Sequence, residues 1–185
     1  MKGNTNMTQI AVFVGSIRAD SLNKKLAKNL EELAPVGVTF MYVDIASLPL
    51  FNQDVEVSAY PPEAQAIKDI VVASDGVLFV TPEYNRSIPG VLKNAIDWVS
   101  RPWGTNSFNG KPVGVVGASG STLGTALAQS HLRSILLYLN TKVLGQPEVY
   151  FAGAHELFDE EGVVIDSSNE FLKKYIDTLV AHINS

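Results

Sequence analysis

The sequence predicts a doubly wound α/β fold, three layers deep, with a five-stranded parallel sheet between helices on both faces. Two observations predict it. Short apolar runs rich in β-branched residues recur along the chain, and each reads as a strand buried on both faces. Between them lie segments whose apolar residues recur every three or four positions, the period of an amphipathic helix. Five such strands alternating with five helices is the pattern of a parallel sheet with helical crossovers.

The elements follow in order. QIAVFVG (9–15) is the first strand and ends at glycine. SLNKKLAKNLEELA (21–34) places Leu22, Leu26, Leu30 and Leu33 on one helical face, with Asp20 or Ser21 as N-cap. VTFMYVD (38–44) is the second strand, and the proline-containing, polar stretch 47–62 reads as a connection. PEAQAIKDIVVAS (62–74) is a helix with proline at its start. DGVLFVTP (75–82) is the third strand and IPGVLKNAIDWVS (88–100) the next helix. RPWGTNSFNGK (101–111) is a turn-rich loop, PVGVVGAS (112–119) the fourth strand, and Leu123 to Leu139 mark a long helix. TKVLGQPEVYF (141–151) holds the fifth strand. FLKKYIDTLVAHI (171–183) closes the chain with an apolar stripe of Phe171, Leu172, Tyr175, Ile176, Leu179, Val180 and Ile183.

Composition bounds the function. The 185 residues are 46% hydrophobic and 18% charged, the balance of one globular domain, expected over 7–185 with 1–6 as a flexible leader. A formal charge of −5 argues against a nucleic-acid partner. The absence of cysteine excludes disulfides, thiolate catalysis and cysteine-ligated metal. MKGNTNMTQ (1–9) has no apolar core of a signal peptide and no run is long enough to span a bilayer, so a cytoplasmic protein is expected. His131, His155 and His182 show no metal-ligand spacing and no evident acid partner, which points to structural or surface roles. Trp98 and Trp103 have three places open to them: core, subunit contact or crevice rim.

In doubly wound sheets ligands bind beyond the carboxyl ends of the strands, where strand order reverses. Three of the loops there are chemically unusual. GSIRADSLN (15–23) follows the first strand, TPEYNRS (81–87) the third and GASGSTLG (117–124) the fourth. In the strand order 2-1-3-4-5 all three border one crevice; in the order 3-2-1-4-5-6 the first and fourth strands are neighbours instead. The first loop lacks the GxGxxG of a pyrophosphate site. Its Ser16, Arg18, Ser21 and Asn23 at a helix start suit a terminal phosphate, although an ordinary N-cap with a solvated arginine reads the same way. In the second loop Pro82 and Tyr84 offer a flat apolar surface, with polar groups at Glu83 and Asn85, and a rigid turn into a helix is the plainer alternative. Ser119, Gly120 and Ser121 supply further donors, or simply join a strand to a helix. GASGS is not a nucleophile elbow.

GSIRADSLN (15–23) together with TPEYNRSIPGVLKNAIDW (81–98) resembles the NADPH-dependent FMN reductase family, of flavodoxin-like fold, nearest to its bacterial quinone/chromate reductase branch. The resemblance covers roughly Gln9 to Ile183. It implies the 2-1-3-4-5 order, an FMN phosphate held by Ser16, Arg18, Ser21 and Asn23, an isoalloxazine ring bordered by Pro82, Glu83, Tyr84 and Asn85, and a pyrimidine edge met by Ser119 and Gly120. It implies an oxidoreductase that passes electrons from NAD(P)H through FMN to a quinone or another small acceptor, with chromate, azo compounds and free flavin among the candidates. No catalytic side chain and no metal is required, and a homodimer or homotetramer is expected. A flavodoxin-type electron carrier without NAD(P)H turnover is the alternative. The chain departs from the pattern at Arg86, whose position varies in the family, and at Gly124-Thr125, where a glycine pair is common.

Overall fold

The computed structural model describes residues 7–165 and 168–185; the expected leader, 1–6, lies outside the described residues. Its elements are β1 (Thr8–Val14), α1 (Leu22–Glu32), β2 (Val38–Tyr42), α2 (Gln53–Ser58), α3 (Pro62–Ala73), β3 (Gly76–Val80), α4 (Gly90–Val99), β4 (Pro112–Ala118), α5 (Ala126–Tyr138), β5 (Lys142–Val143), β6 (Val149–Phe151), a 3₁₀ turn (Ala154–Glu156) and α6 (Ser168–Ile183). The strands are parallel in the order β2-β1-β3-β4-β5, as expected, and β6 also pairs with β4.

Alternation along each strand divides the core. Ile10, Val12, Leu78, Val80 and Val116 point to one face, where α1 and α6 cover them with Leu26, Leu30, Leu172, Tyr175 and Leu179. Ala11, Phe13, Val77, Phe79, Val113 and Val115 point to the other, under Ile67 and Val71 of α3, Leu92 and Ile96 of α4, and Leu132 and Leu136 of α5. Because both faces are covered, the central strands are apolar throughout. Phe171, expected in the stripe of α6, is 42% exposed at its first turn.

Two differences from the expected elements have local causes. The stretch 141–151 forms two short strands, because Pro147 has no N–H to donate to a ladder and interrupts the pairing between Val113↔Val143 and Val116↔Val149. The connection 47–62 contains α2, started by the Asn52 side chain, which accepts from the Asp54 N–H at 2.9 Å. α2 is fastened by buried Glu56, whose carboxylate pairs with Arg101 at 3.0 Å. Nearby, buried Lys68 donates to the carbonyls of Val99, Arg101 and Thr105, and burial holds its ammonium below the usual lysine range. Trp98 is fully buried there, with its indole N–H on the Pro49 carbonyl at 2.8 Å, whereas Trp103 is 79% exposed.

The register brings the carboxyl ends of β1, β3 and β4 side by side, at Val14, Val80 and Ala118. The three chemically unusual loops leave from these ends.

Candidate functional site

The first loop is pinned to the second at its root. The Gly15 N–H donates to the Val80 carbonyl at 2.8 Å. A Cβ on Gly15 would press on Leu92, Pro82 and Thr81 at 3.1–3.3 Å, so a larger residue would part the loops. Ser16 follows, buried to 7% exposure. Ser21 is the N-cap of α1: its Oγ accepts from the Lys24 N–H at 3.2 Å, and its own O–H remains to be donated. The N–H groups of Leu22 and Asn23 open the helix and have no partner inside it. The exposed Arg18 guanidinium has no ion pair among the described residues. Hydroxyls, free helix-start N–H groups and an unpaired guanidinium therefore converge.

Asn23 behaves differently from the expectation of a ligand-facing amide. Its Nδ2 donates to the Ala118 carbonyl and its Oδ1 accepts from the Ala118 N–H, both at 2.9 Å. The buried side chain thus ties α1 to the end of β4 and leaves its backbone N–H toward the cleft.

The second loop is stiffer than its composition suggested. Tyr84 and Ser87 exchange two backbone hydrogen bonds of 3.0 Å, closing a two-residue hairpin. Asn85 and Arg86 at its tip have φ of 50° and 63°, the left-handed values of a type I′ turn. Asparagine tolerates this region; arginine occupies it at a cost. Glu83 has the role that sequence reasoning missed. Its Oε2 accepts the N–H groups of Leu127 and Ala128 at 3.0 and 3.1 Å, at the start of α5, where Thr125 gives no side-chain cap. The carboxylate is nearly buried and meets the positive end of the helix, with Arg86 3.7 Å from its other oxygen. No signal in the sequence marks a cap that reaches across 44 residues.

The third loop is bound into the sheet edge. The Ser119 N–H donates to the Phe151 carbonyl at 3.0 Å, and its hydroxyl closes the loop on itself by accepting the Ser121 N–H at 3.2 Å. That hydroxyl lies 2.9 Å from Ser121 Oγ. A Cβ on Gly117 would fall on Thr125 Oγ1 and the Thr81 carbonyl, which is how the second and third loops come so close. Of the histidines, His131 Nδ1 lies 3.0 Å from Ser87 Oγ, and His182 Nε2 contacts the Lys142 carbonyl. His155 Nε2 sits 3.5 Å from Glu156, an acid partner the sequence reading had not identified.

One open cleft of about 280 Å³ joins these parts, lined by Ser16, Arg18, Ser21, Asn23, Pro82, Glu83, Tyr84, Ser119 and Gly120, together with Leu22, Ala118 and Ser121. Asn85 alone among the expected residues does not line it, because it sits at the hairpin tip. Leu22 escaped notice because its side chain belongs to the apolar stripe while its N–H faces the cleft. Among the described residues no group of His, Asp or Glu is placed to hold a metal.

A parallel sheet with a donor-rich, half-open cleft at its switch point defines a nucleotide-binding α/β protein. Comparison narrows the class. The profile of the NADPH-dependent FMN reductase family matches residues 8–156. A 2-hydroxy-1,4-benzoquinone reductase of a Burkholderia species is 47% identical over 176 residues, covering 95% of this chain and 96% of that protein. The quinone reductase of Escherichia coli K12 is 38% identical over 85% of each chain. The structure of FerB, a flavoenzyme NAD(P)H:(acceptor) oxidoreductase from Paracoccus denitrificans, superposes with a TM-score of 0.90 at 43% identity, covering 96% and 97%. The chain belongs to the NADPH-dependent FMN reductase family. It is an NAD(P)H-dependent oxidoreductase that uses FMN.

Proposed function

We propose that this protein passes electrons from NAD(P)H, through FMN held in the three-loop cleft, to a quinone. The observation that carries the reading is that one cleft joins a phosphate-suited end, at Ser16, Arg18 and Ser21, to a flat wall at Pro82 and Tyr84 and a donor loop at Ser119 and Gly120. The names of the quinone reductase relatives support the acceptor.

The residues fit the group. The N–H groups of Leu22 and Asn23, the Ser16 and Ser21 hydroxyls and Arg18 would hold the FMN phosphate from several sides. Asn23 serves through its backbone and through its hold on Ala118. Glu83 fixes the second loop by capping α5, so that Pro82 and Tyr84 keep their place beside the ring. Asn85 contributes by making the hairpin tip, rather than by lining the cleft. An open cleft of this kind would leave a bound flavin accessible to a second substrate. FMN supplies the redox chemistry when bound; the chain supplies binding, orientation and electrostatics.

We place the protein in the cytoplasm as a homo-oligomer. No helix among the described residues is long and apolar enough to cross a membrane. Trp103, Tyr138 and Leu137 are 79%, 75% and 65% exposed, an apolar surface that a second copy would cover.

Steady-state oxidation of NAD(P)H with a panel of benzoquinones, chromate and an azo dye tests the reading. Quinone reduction at the highest kcat/KM of the panel is expected. Rates equal to those of free FMN with every acceptor would leave an electron carrier as the better account.

A further inference from the structure

The edge of the sheet is interrupted where the fifth strand splits. Between the pairs Val113↔Val143 and Val116↔Val149, two residues of β4, Gly114 and Val115, face the five residues 144–148. α5 reaches into this break with two side chains one turn apart. Arg133 donates from Nη1 to the Leu144 carbonyl at 2.7 Å, and Gln129 donates from Nε2 to the Val149 carbonyl at 2.7 Å. α6 reaches it from the other face of the sheet with Tyr175. Its hydroxyl lies where Gly114 has no side chain, since a Cβ there would come within 2.5 Å of it. Gln129 and Tyr175 are buried, and each keeps a polar atom without a partner, Oε1 and the hydroxyl. Arg133 keeps two, Nε and Nη2. These four are the only buried side-chain polar atoms without a hydrogen bond among the described residues, and their three side chains border one break. Burial pushes the Tyr175 phenol above the usual tyrosine range, so its proton stays on and is there to be donated; the Arg133 charge also acts on its oxygen.

We propose that the break is a structural water site, in which internal water held by Arg133, Tyr175 and Gln129 bridges α5 and α6 across the interrupted edge. The donors and acceptors select the occupant. Arg133 only donates, Gln129 Oε1 only accepts, and the Tyr175 hydroxyl does both. An anion would suit the guanidinium but would face Gln129 Oε1 and the Glu148 carboxylate, which stands 4.0 Å from Arg133 Nε, beyond hydrogen-bond reach. A cation would face the guanidinium. Water both donates and accepts, and a buried polar site of about two to four partners holds it. The third loop of the cleft hangs from the far side of this break. Its Ser119 N–H donates to the Phe151 carbonyl of β6, and its Ser119 and Ser121 carbonyls accept from Ala154 and Gly153 at 3.0 and 3.1 Å. Water that fixes the break therefore fixes the support of that loop, whichever ligand the cleft takes.

The test compares the FMN-loaded wild type with Tyr175→Phe, by thermal unfolding, by oxygen-17 relaxation dispersion of water, and by crystal structures at a resolution that shows ordered water. In the wild type, water is expected within hydrogen-bond distance of the Tyr175 hydroxyl and of Arg133 Nη2. Loss of a hydroxyl that bonds to water should lower the melting temperature by about 2–4 °C. Loss of an idle hydroxyl would leave it unchanged or raise it. The dispersion should lose a long-lived water component in the variant. Three results overturn the assignment: an anion in the break, Glu148 swung onto Nε and Nη2 of Arg133 with no water beside them, or a variant whose melting temperature and dispersion match those of the wild type.

Discussion

Arg18 and Arg86 show how differently one residue type is used at one cleft. Arg18 lines the cleft near the start of α1 without a close ion pair among the described residues, although its charge also acts on nearby Asp20; in the proposed reading that charge serves the FMN phosphate. Arg18→Ala should therefore weaken FMN binding by about 1.5–3 kcal/mol, the scale of a hydrogen bond to a charged group. Fluorescence titration of apoprotein with FMN measures it, and unchanged affinity would remove the phosphate assignment. Arg86 instead spends conformational energy, with φ of 63° at the second position of a type I′ turn. Arg86→Gly creates the asparagine–glycine pair that such turns prefer and should stabilise the fold by about 0.5–1 kcal/mol in urea unfolding. A loss of stability would mean that the contact of Arg86 with Glu83, at 3.7 Å, outweighs the backbone strain.

The elements work by capping one another across the cleft. α1 is held by its own Ser21 and by the grip of Asn23 on Ala118, and α5 is started by Glu83 from the second loop. Glu83→Ala should cost about 1–2 kcal/mol of stability, the range of a lost N-cap. It should also loosen the second loop, so that FMN dissociates faster; hydrogen exchange at Leu127 and Ala128 should rise with it. Faster exchange without any change in FMN release would confine Glu83 to a purely structural part. These ties explain what was legible in the sequence. Strand and helix periods are local, and so is the helix start, where of the two candidate caps, Asp20 and Ser21, it is Ser21 that caps α1. The hold of Asn23 on Ala118 spans 95 residues, and no local pattern encodes it. α2 went unread because six residues between prolines and polar residues show no period. The split of the fifth strand was written in Pro147, but only the register against β4 shows where pairing resumes.

At the scale of the whole molecule, both helical layers leave the carboxyl edge of the sheet open, and charge is distributed along that edge. The net charge is −5, yet Arg18, Lys24 and Lys28 gather around the start of α1. A local field of this kind draws anionic substrates to an otherwise acidic protein. The opposite concern is the apolar surface at Trp103 and Tyr138, bordering a cavity of about 720 Å³ with Arg101 and Asn106. If the proposed homo-oligomer uses this surface, Trp103→Glu combined with Tyr138→Glu should shift the sedimenting species toward the monomer; an unchanged distribution, or a wild type that already sediments as a monomer, would contradict it. The central claim, that the three-loop cleft makes this chain an FMN-dependent oxidoreductase, is tested most directly by the visible absorption spectrum of the FMN-loaded protein before and after anaerobic addition of NADPH. Bleaching of the oxidised flavin band, well above the rate for free FMN, followed by its return on addition of a benzoquinone, is the predicted result. A protein that fails to take up FMN, or a flavin band that NADPH and NADH leave intact, would contradict it.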